Sequence, residues 1–278
     1  MKRDTISNYE PIQEGLVFSR KRTVGDAGYA YHRHDACEIL LFLEGDIRFY
    51  IEQTCFVPAP GSLVILNPNE MHRVQSVGDT PYERIVLNVK KSFMDMLSTE
   101  DYQLADCFYR RPSGTGNLRI LSADQVTEFL DMYGRLERSS TEEAGSSVER
   151  NAYTSLFLLW ISRLYQDGRE RVENMMPAYV SGVMKYIADH LDEPLNLEKL
   201  AKMFHVSPGY LSTQFRRHTG LTLRDYLLDR KVNHAKMLML EGANVSEACY
   251  QAGFGDYSNF IRSFKKVTGM PPGKFRRS

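Results

Sequence analysis

The last hundred residues contain a repeated pattern that restricts the fold more than any other feature of the chain. The first copy covers residues 197–220 and the second covers residues 245–269. In each copy a short helical segment precedes a three-residue turn, and a longer helical segment follows and ends in Thr-Gly. The repeat therefore predicts two units, each consisting of two helices joined by a tight turn.

Helix-capping residues stand at matching places in the two copies. Ser207, which is followed by Pro208, can cap the longer helix of the first copy, and Asp256 can cap that of the second. Gly220 and Gly269 follow the last turns as C-terminal glycines. Ala201 and Ala248 are small residues at the expected helix crossings. Val206 and Phe254 are apolar residues in the turns. This is the helix-turn-helix layout, in which the second helix of each pair enters a major groove.

A helical segment, residues 222–241, connects the two copies. As a helix it spans about 30 Å, close to the ~34 Å between successive major-groove openings on one face of DNA. A rigid helix of this length can hold the longer helix of each copy, the DNA-reading helix, in register with successive major grooves. The alternative is a generic α-helical bundle with glycine turns, which does not account for two matched copies.

Charge is divided unevenly along the chain, although the whole carries no net charge. Residues 179–278 contain 15 Lys and Arg against 9 Asp and Glu, a net charge of +6. The preceding residues contain 20 basic and 26 acidic side chains, a net charge of −6. This asymmetry indicates a polyanionic partner for the last third only.

Composition favours a globular protein of two domains, with 42% apolar and 25% charged residues. No segment approaches the ~20 apolar residues of a membrane span, and residues 1–8 lack the apolar core of a signal peptide. The four cysteines are scattered and form no Cys-x-x-Cys pair, which predicts reduced thiols. We therefore expect a cytoplasmic protein without a membrane partner.

Short alternating segments with turn signals between them fill residues 16–89. The candidate strands are Leu16–Val24, Glu38–Leu43, Ile47–Glu52, Ser62–Leu66, Met71–Ser76 and Glu83–Val89. Many short strands at this spacing predict a sandwich or barrel. We assign residues 1–91 to this domain.

Residues 92–168 have a helical period instead. Ser122 can cap a helix that reaches Arg138, and Ser139–Ser147 is predicted to be a loop. The next helix, Val148–Tyr165, is apolar around more than half of its circumference, which predicts one face on its own domain and another on a partner. Its predicted homodimer contact consists of Tyr153, Phe157, Trp160 and Leu164. Residues 169–178 are assigned as the linker to a C-terminal domain, residues 179–278.

The last hundred residues resemble the AraC/XylS family of bacterial transcription regulators. The most specific matches are Ala248, Gly253-Phe254, Tyr257–Phe260, Arg262–Lys266 and Thr268–Pro272. One departure is His205, where the first turn of the family often has glycine; a positive φ is tolerated there but is not ideal. The resemblance implies a bacterial, nucleoid-associated transcription regulator, with activation expected as one mode and repression left open. Its implied partner is double-stranded DNA, and RNA polymerase is a further candidate partner.

Exposed positions of the two longer helices are the predicted DNA contacts, because Leu211, Phe215, Phe260 and Phe264 are expected to pack inward. By resemblance, the base-reading residues are Gly209, Ser212, Thr213, Arg216, Ser258, Asn259 and Arg262. The predicted phosphate contacts are Ser207, Arg217, Lys265 and Lys266. The guanidinium of Arg262 can grip guanine, and the amide of Asn259 can pair with adenine.

Two N-terminal segments resemble the signatures of cupin barrels, which are common sensor domains in AraC/XylS proteins. The first is His32-x-His34-x-x-x-Glu38 followed by Gly45, and the second covers residues 61–72. Residues 32, 34 and 38 share strand parity and can face one interior. The predicted effector pocket consists of His32, His34, Glu38, Arg48, Tyr50, His72 and Arg84.

Part of this pocket also forms a ligand set suited to Zn²⁺, Fe²⁺ or Mn²⁺, namely His32, His34, Glu38 and His72. The alternative is that these side chains are polar pocket residues that hydrogen-bond an effector or one another. We favour this alternative, and expect no cofactor, because the ligand set alone is permissive. The resemblance implies that a pocket with histidine, arginine and tyrosine binds a sugar or another small metabolite, such as a small acid.

Together these patterns predict an α+β protein of two domains. An N-terminal cupin-like β-barrel with a helical dimerisation segment precedes a C-terminal, all-α double helix-turn-helix. The predicted function is transcription regulation under the control of a small-molecule effector, not enzymatic activity. The competing interpretation, a metal-dependent cupin enzyme or metal sensor fused to a DNA-binding domain, rests on the four candidate ligands alone.

Overall fold

The computed structural model describes residues 9–10, 12, 14–25, 31–139, 143–166 and 173–276. The strands are β1 (Tyr9–Glu10), β2 (Leu16–Thr23), β3 (Arg33–His34), β4 (Cys37–Glu44), β5 (Ile47–Ile51), β6 (Thr54–Phe56), β7 (Ser62–Leu66), β8 (His72–Ser76), β9 (Tyr82–Val89) and β10 (Leu118–Ile120). The helices are α1 (Lys91–Leu97), α2 (Asp106–Tyr109), α3 (Ala123–Arg138), α4 (Ser146–Gln166), α5 (Ala178–Asp189), α6 (Leu197–Met203), α7 (Pro208–Thr219), α8 (Leu223–Leu240), α9 (Val245–Gln251), α10 (Tyr257–Thr268) and α11 (Pro272–Phe275). None of the helices described is both long and apolar enough to cross a membrane.

Two antiparallel sheets face each other in the N-terminal domain. The larger has the strand order β10-β7-β4-β9-β2 and the smaller the order β6-β5-β8. Apolar side chains from both sheets, such as Leu40, Phe49 and Val64, form the core between them. A backbone bridge between His32 and His72 joins the start of β3 to β8. The sheet-rich domain is thus confirmed, as two packed sheets rather than one closed ring in the residues described.

The central strand β4 of the larger sheet is buried on both faces along most of its length, which is why it is mostly apolar. Leu40 faces the smaller sheet, whereas Ile39 and Leu41 face the helices of residues 91–166. Strand β10 extends this sheet by pairing with β7. The helical period predicted for residues 92–168 therefore does not extend to β10, because three residues are too few to show an alternating pattern.

Helix α4 packs onto its own domain. The ring of Phe157 is fully buried and lies 4.9 Å from that of Phe129 in an edge-on contact. The rest of the predicted dimer stripe is partly buried against the same core: Tyr153, Trp160 and Leu164. The predicted dimer contact is wrong for Phe157, because the domain itself covers this apolar face. The most exposed apolar side chains of α4 are Val148 and Leu156.

The helix caps of the C-terminal domain are confirmed. Ser207 and Asp256 each accept a hydrogen bond from the backbone amide three residues later. Gly220 and Gly269 end α7 and α10 in the left-handed conformation, with φ of 74° and 77°. His205 has a φ of 56°, so the first turn adopts the left-handed conformation that glycine adopts in the second.

Two apolar cores divide the C-terminal domain between its two units. The second core consists of residues from α8, α9, α10 and α11 and the loops beside them. The first core, formed by α5, α6, α7 and the start of α8, also contains Tyr31, Tyr50 and Met71 of the N-terminal domain. The first unit is therefore docked on that domain. Residues 140–142 of the predicted loop and 169–172 of the predicted linker lie outside the described residues, but Asn174 of that linker accepts a hydrogen bond from the Cys55 amide at 2.9 Å.

Candidate functional site

The second helix of each unit, α7 and α10, presents the predicted DNA-reading residues to solvent. The inward positions Leu211, Phe215, Phe260 and Phe264 are fully buried. The predicted base-reading residues are all exposed: Gly209, Ser212, Thr213, Arg216, Ser258, Asn259 and Arg262. The predicted phosphate contacts are exposed as well: Ser207, Arg217, Lys265 and Lys266. Each helix thus has one packed and one free face, as a groove-reading helix requires.

Both reading helices border one groove of about 620 Å³. Ser212 of α7 and Asn259 and Ser263 of α10 lie on its walls, so the two helices meet the same side of the domain. Helix α8 joins them, and its 18 residues span about 27 Å. Arg224, an exposed residue in the first turn of α8, lines the same groove. Sequence reasoning missed Arg224 because it treated α8 only as a spacer.

A separate cavity of about 400 Å³ lies between the sheets of the N-terminal domain. Most of the predicted pocket residues line it: His32, His34, Glu38, His72 and Arg84. Apolar side chains complete the wall, among them Leu40, Phe49 and Val74. The cavity therefore offers polar groups to a small ligand together with an apolar surface.

Three histidines meet at one end of this cavity. The nitrogen atoms of His32, His34 and His72 that can bind a metal lie within 4.8 Å of one another. One carboxylate oxygen of Glu38 lies 3.0 Å from His34 Nε2 and 3.7 Å from His72 Nε2. His72 Nδ1 lies 3.1 Å from the Glu70 carbonyl oxygen and therefore carries the proton, because a carbonyl only accepts. His72 Nε2 then presents a lone pair that has no hydrogen-bond partner in the described structure.

Ionisation at this end favours ligands that donate hydrogen bonds or carry positive charge. Burial and the neighbouring His32 lower the pKa of His72 to about 3, so this imidazole is neutral at neutral pH. Burial raises the pKa of Glu38, but the hydrogen bond from His34 and the surrounding histidines outweigh burial and lower it to about 2. A neutral imidazole and an ionised carboxylate therefore stand side by side.

Arg48 and Tyr50 do not line the cavity, and their prediction as pocket residues is wrong. Strand β5 directs its odd-numbered residues into the core between the sheets. Tyr50 lies on the other face, packs in the core shared with the C-terminal domain and donates a hydrogen bond to Gln75 at 3.0 Å. The alternating Ile-Arg-Phe-Tyr-Ile sequence of β5 contained this information, since apolar and polar residues occupy opposite parities.

Two family models match the chain. Residues 21–159, half of the chain, match the AraC-like ligand binding domain, and residues 200–278 match a helix-turn-helix domain. The chain belongs to the AraC family of transcription regulators. Its N-terminal domain is the ligand-binding domain of such a regulator, and its double helix-turn-helix is the DNA-binding domain.

Two sequence relatives match the chain over most of its length. The chain is 27% identical over 271 residues to the HTH-type transcriptional regulator YobQ of Bacillus subtilis (strain 168), covering 97% of this chain and 96% of the relative. It is 23% identical over 253 residues to the HTH-type transcriptional activator RhaR of Escherichia coli O139:H28 (strain E24377A / ETEC), with 89% and 87% covered. The solved structure of apo ToxT from Vibrio cholerae strain SCE256 is 13% identical, with a TM-score of 0.40 over 96% of this chain and 99% of that chain. Both sequence relatives are named as transcription regulators, which supports the expectation that this AraC-family protein is not an enzyme.

Two ion pairs join the two domains of this AraC-family regulator. Arg33 of β3 pairs with Asp229 of α8, and both side chains are at most 2% exposed. Glu52, just after β5, accepts two hydrogen bonds of 3.0 Å from Arg230. Charges buried this deeply are tolerated only when they are paired. The two ion pairs therefore favour this one arrangement of the ligand-binding domain on α8.

The ligand-binding domain also holds the end of the first reading helix. The Tyr31 amide donates a hydrogen bond to the Thr219 carbonyl at 3.2 Å, and Arg73 donates one to the His218 carbonyl at 3.2 Å. The last carbonyls of an α-helix lack partners within the helix, so donors from another domain satisfy them here. Sequence reasoning missed these contacts because the partners lie more than a hundred residues apart.

Proposed function

We propose that the effector binds in the cavity of the ligand-binding domain and that β3 and β8 transmit its presence to the first helix-turn-helix unit. The proposal rests on the alternation along these strands between residues that line the cavity and residues that contact the DNA-binding domain. Residues 32, 34 and 72 line the cavity, whereas residues 31, 33 and 73 contact the DNA-binding domain. Successive side chains of a strand point to opposite faces, so one backbone serves both surfaces.

Hydrogen bonding makes the two strands move together. His32 and His72 exchange two backbone hydrogen bonds of 3.0 Å. An effector that pulls on either imidazole therefore shifts Arg33 and Arg73, which hold α8 and the end of α7. The second unit has a core of its own, so the effector changes how the two reading helices lie relative to each other. To do so, it must bind the two arrangements with different affinity.

A double-mutant cycle tests this coupling. His72→Phe alters the cavity and Asp229→Asn weakens the interdomain contact, and neither residue is a predicted DNA contact. Affinity is measured at one fixed salt concentration on a duplex that the wild-type protein selects from a random pool. We expect His72→Phe to change the dissociation constant at least about five-fold, and the change to shrink in the Asp229→Asn background.

The matched control is Ser19→Ala. Ser19 lines the same cavity from β2, a strand from which no described hydrogen bond reaches the other domain. This variant should bind DNA like the wild type. An unchanged dissociation constant for His72→Phe, or an equal change in both backgrounds, would contradict the coupling.

We further propose that the regulator is a homodimer, joined through the exposed apolar side of α4. Val148, Ala152 and Leu156 recur every fourth residue and are exposed, and residues four apart share one helix face. We expect Leu156→Glu to sediment as a monomer. Met96→Glu, at a site of similar exposure on α1, should remain a dimer; a monomeric wild type would contradict the proposal.

RNA polymerase is proposed as a further partner, since the relative RhaR is named an activator. Transcription in vitro, from a promoter that carries the selected duplex upstream, tests this proposal. Activation predicts more transcript when the regulator is added. Less transcript would instead indicate repression.

A divalent metal ion is the second candidate effector, because the lone pair of His72 Nε2 is buried beside the Glu38 carboxylate without a hydrogen-bond partner in the described structure. His32, His34, Glu38 and His72 would hold the ion, which suits an imidazole-rich site. Metal analysis of protein purified without an affinity tag tests this candidate. Stoichiometric metal that is lost in His34→Ala would support it, and metal-free protein that gains none from added Zn²⁺ or Mn²⁺ would exclude it.

A further inference from the structure

Two cations face each other across neighbouring strands on the wall of the effector cavity. Lys21 of β2 and Arg84 of β9 are direct cross-strand partners, and both line the cavity. Like charges in directly opposite positions repel each other and destabilise a sheet. An anion between them would remove this repulsion.

The other face of the same two strands shows ordinary charge pairing. There Arg20 lies 2.6 Å from the Glu83 carboxylate, and Arg22 lies 3.9 Å from it. On the outer face a carboxylate thus lies beside the two arginines, whereas on the cavity face two cations lie directly opposite each other.

Arg84 is buried, yet no carboxylate among the described residues pairs with it. Its side chain donates hydrogen bonds to the Thr23 hydroxyl and, at 3.3 Å, to the Tyr82 carbonyl, and its guanidinium lies 4.2 Å from the centre of the Tyr82 ring. The acidic residue on the cavity wall, Glu38, is bonded to His34 at 3.0 Å. A buried charge is costly unless an opposite charge accompanies it.

We infer that the effector is an organic oxyanion whose charged group binds between Lys21 and Arg84. A guanidinium presents a planar pair of donors that matches the oxygens of a carboxylate or a phosphate. Lys21 is exposed at the rim of the cavity, where its flexible side chain can close over the bound group. This inference rests on the proposed function, because it names the chemistry of the effector that the same cavity binds.

The opposite end of the effector carries hydroxyl groups. Asn88 lines the cavity as the cross-strand partner of Glu38, and its Oδ1 atom is buried without a hydrogen-bond partner in the described structure. Both side chains can accept hydrogen bonds from hydroxyls. Asn88 lies four residues beyond Arg84 on β9, a distance of about 13 Å along the strand. A hydroxylated acid, such as a sugar acid or sugar phosphate, reaches both ends.

Lys21→Glu tests the charge imbalance without any ligand. Glutamate at this position would face Arg84, so the Tm of the dialysed, full-length protein should rise by about 1–3 °C. The matched control is Arg20→Glu on the outer face, which places a second carboxylate beside Glu83 and should lower the Tm. An unchanged or lower Tm for Lys21→Glu would overturn the inference.

Thermal shifts with matched probes test the ligand class. Glucose is compared with gluconate and glucose 6-phosphate, and galactose with galacturonate, each at high millimolar concentration. We expect at least one anion to raise the Tm by several degrees while its neutral sugar does not. The carboxylate and phosphate probes distinguish the two oxyanions. Arg84→Met should abolish the shift.

Other outcomes overturn the inference in distinguishable ways. Tm shifts from the neutral sugars alone would contradict an anionic effector but would remain consistent with an effector that binds in the same cavity. A shift that survives in Arg84→Met would place the anion elsewhere, for example on the basic DNA-binding face. No shift from any anionic probe would also overturn the inference, and the coupling between His72 and Asp229 would remain a separate question.

Discussion

Replacing Arg33 with methionine isolates the buried ion pair between the domains. Arg33 and Asp229 are 2% and 1% exposed, and Arg33 also donates a hydrogen bond to the Asp229 carbonyl at 3.2 Å. Methionine keeps an unbranched side chain but leaves the carboxylate without its partner. Breaking a buried pair in this way costs about 3–5 kcal/mol.

Lys236 should reduce the free-energy cost of Arg33→Met toward the lower end of that range. Burial, followed by the charge of Arg33, lowers the pKa of Lys236 to about 8, against the attraction of Asp229. With a pKa of about 8 this lysine is already largely protonated at neutral pH, and its attraction to Asp229 persists when Arg33 is removed. We therefore expect a loss of about 3 kcal/mol, which the protein can avoid by separating the domains at this contact.

Hydrogen exchange at the Tyr31 amide measures that loss, because this amide donates to the Thr219 carbonyl across the interface. A loss of about 3 kcal/mol corresponds to roughly 100-fold faster exchange when exchange requires domain separation. The double variant Arg33→Met/Asp229→Leu removes both members of the buried ion pair and should recover most of the protection.

The control for this experiment is Arg20→Met. Arg20 belongs to an exposed pair with Glu83, and such pairs contribute at most about 1 kcal/mol. Exchange at Tyr31 should stay at the wild-type rate in this variant. Wild-type protection in Arg33→Met, or no recovery in the double variant, would refute the reasoning.

Three further predictions follow from single sites. Gly253→Ala should lower the free energy of unfolding by about 2 kcal/mol or more, because φ is +78° and an added Cβ would overlap the backbone oxygen of Leu191. Chemical denaturation should show a smaller loss for Gly255→Ala, where an added Cβ meets nothing within 4 Å. Arg262→Ala should remove about 1–3 kcal/mol of discrimination at one base pair, whereas equal losses on specific and scrambled duplexes would show that Arg262 contacts only phosphate. Burial and His32 lower the pKa of His72 to about 3. Below about pH 6.5 the unfolded chain therefore gains a proton at His72 that the folded chain does not. The free energy of unfolding should fall from there toward pH 3 by up to about 1.4 kcal/mol per pH unit. In metal-free protein, His72→Phe should remove this contribution, and an unchanged pH profile would mean that His72 is protonated in the fold.

Local signals were sufficient for much of the C-terminal domain. The cap at Ser207 depends on an amide three residues away, and the helix end at Gly220 depends on one backbone angle, so both could be predicted from short segments. The burial of Phe260 and Phe264 followed from helical spacing alone. The strand Ser62–Leu66 was predicted with its observed bounds, since proline, glycine and asparagine mark both ends.

Features that depend on distant residues could not be predicted in the same way. Arg33 and Asp229 lie 196 residues apart, and nothing in either local sequence marks the other as a partner. Phe157 belongs to a helix that is apolar on several sides, so its pattern does not reveal which side the domain itself covers. Arg48 and Tyr50 are a different case, because their strand parity already indicated the outer face.

In this account, two helices of one DNA-binding domain, α7 and α10, read neighbouring major grooves. The most direct test is selection of duplexes from a random pool by the full-length protein, followed by the same selection with Arg262→Ala. We predict that each protomer selects two elements centred about 10–10.5 base pairs apart, with only the element read by α10 relaxed in the variant. A single uninterrupted element, or two elements that both relax in Arg262→Ala, would contradict the account.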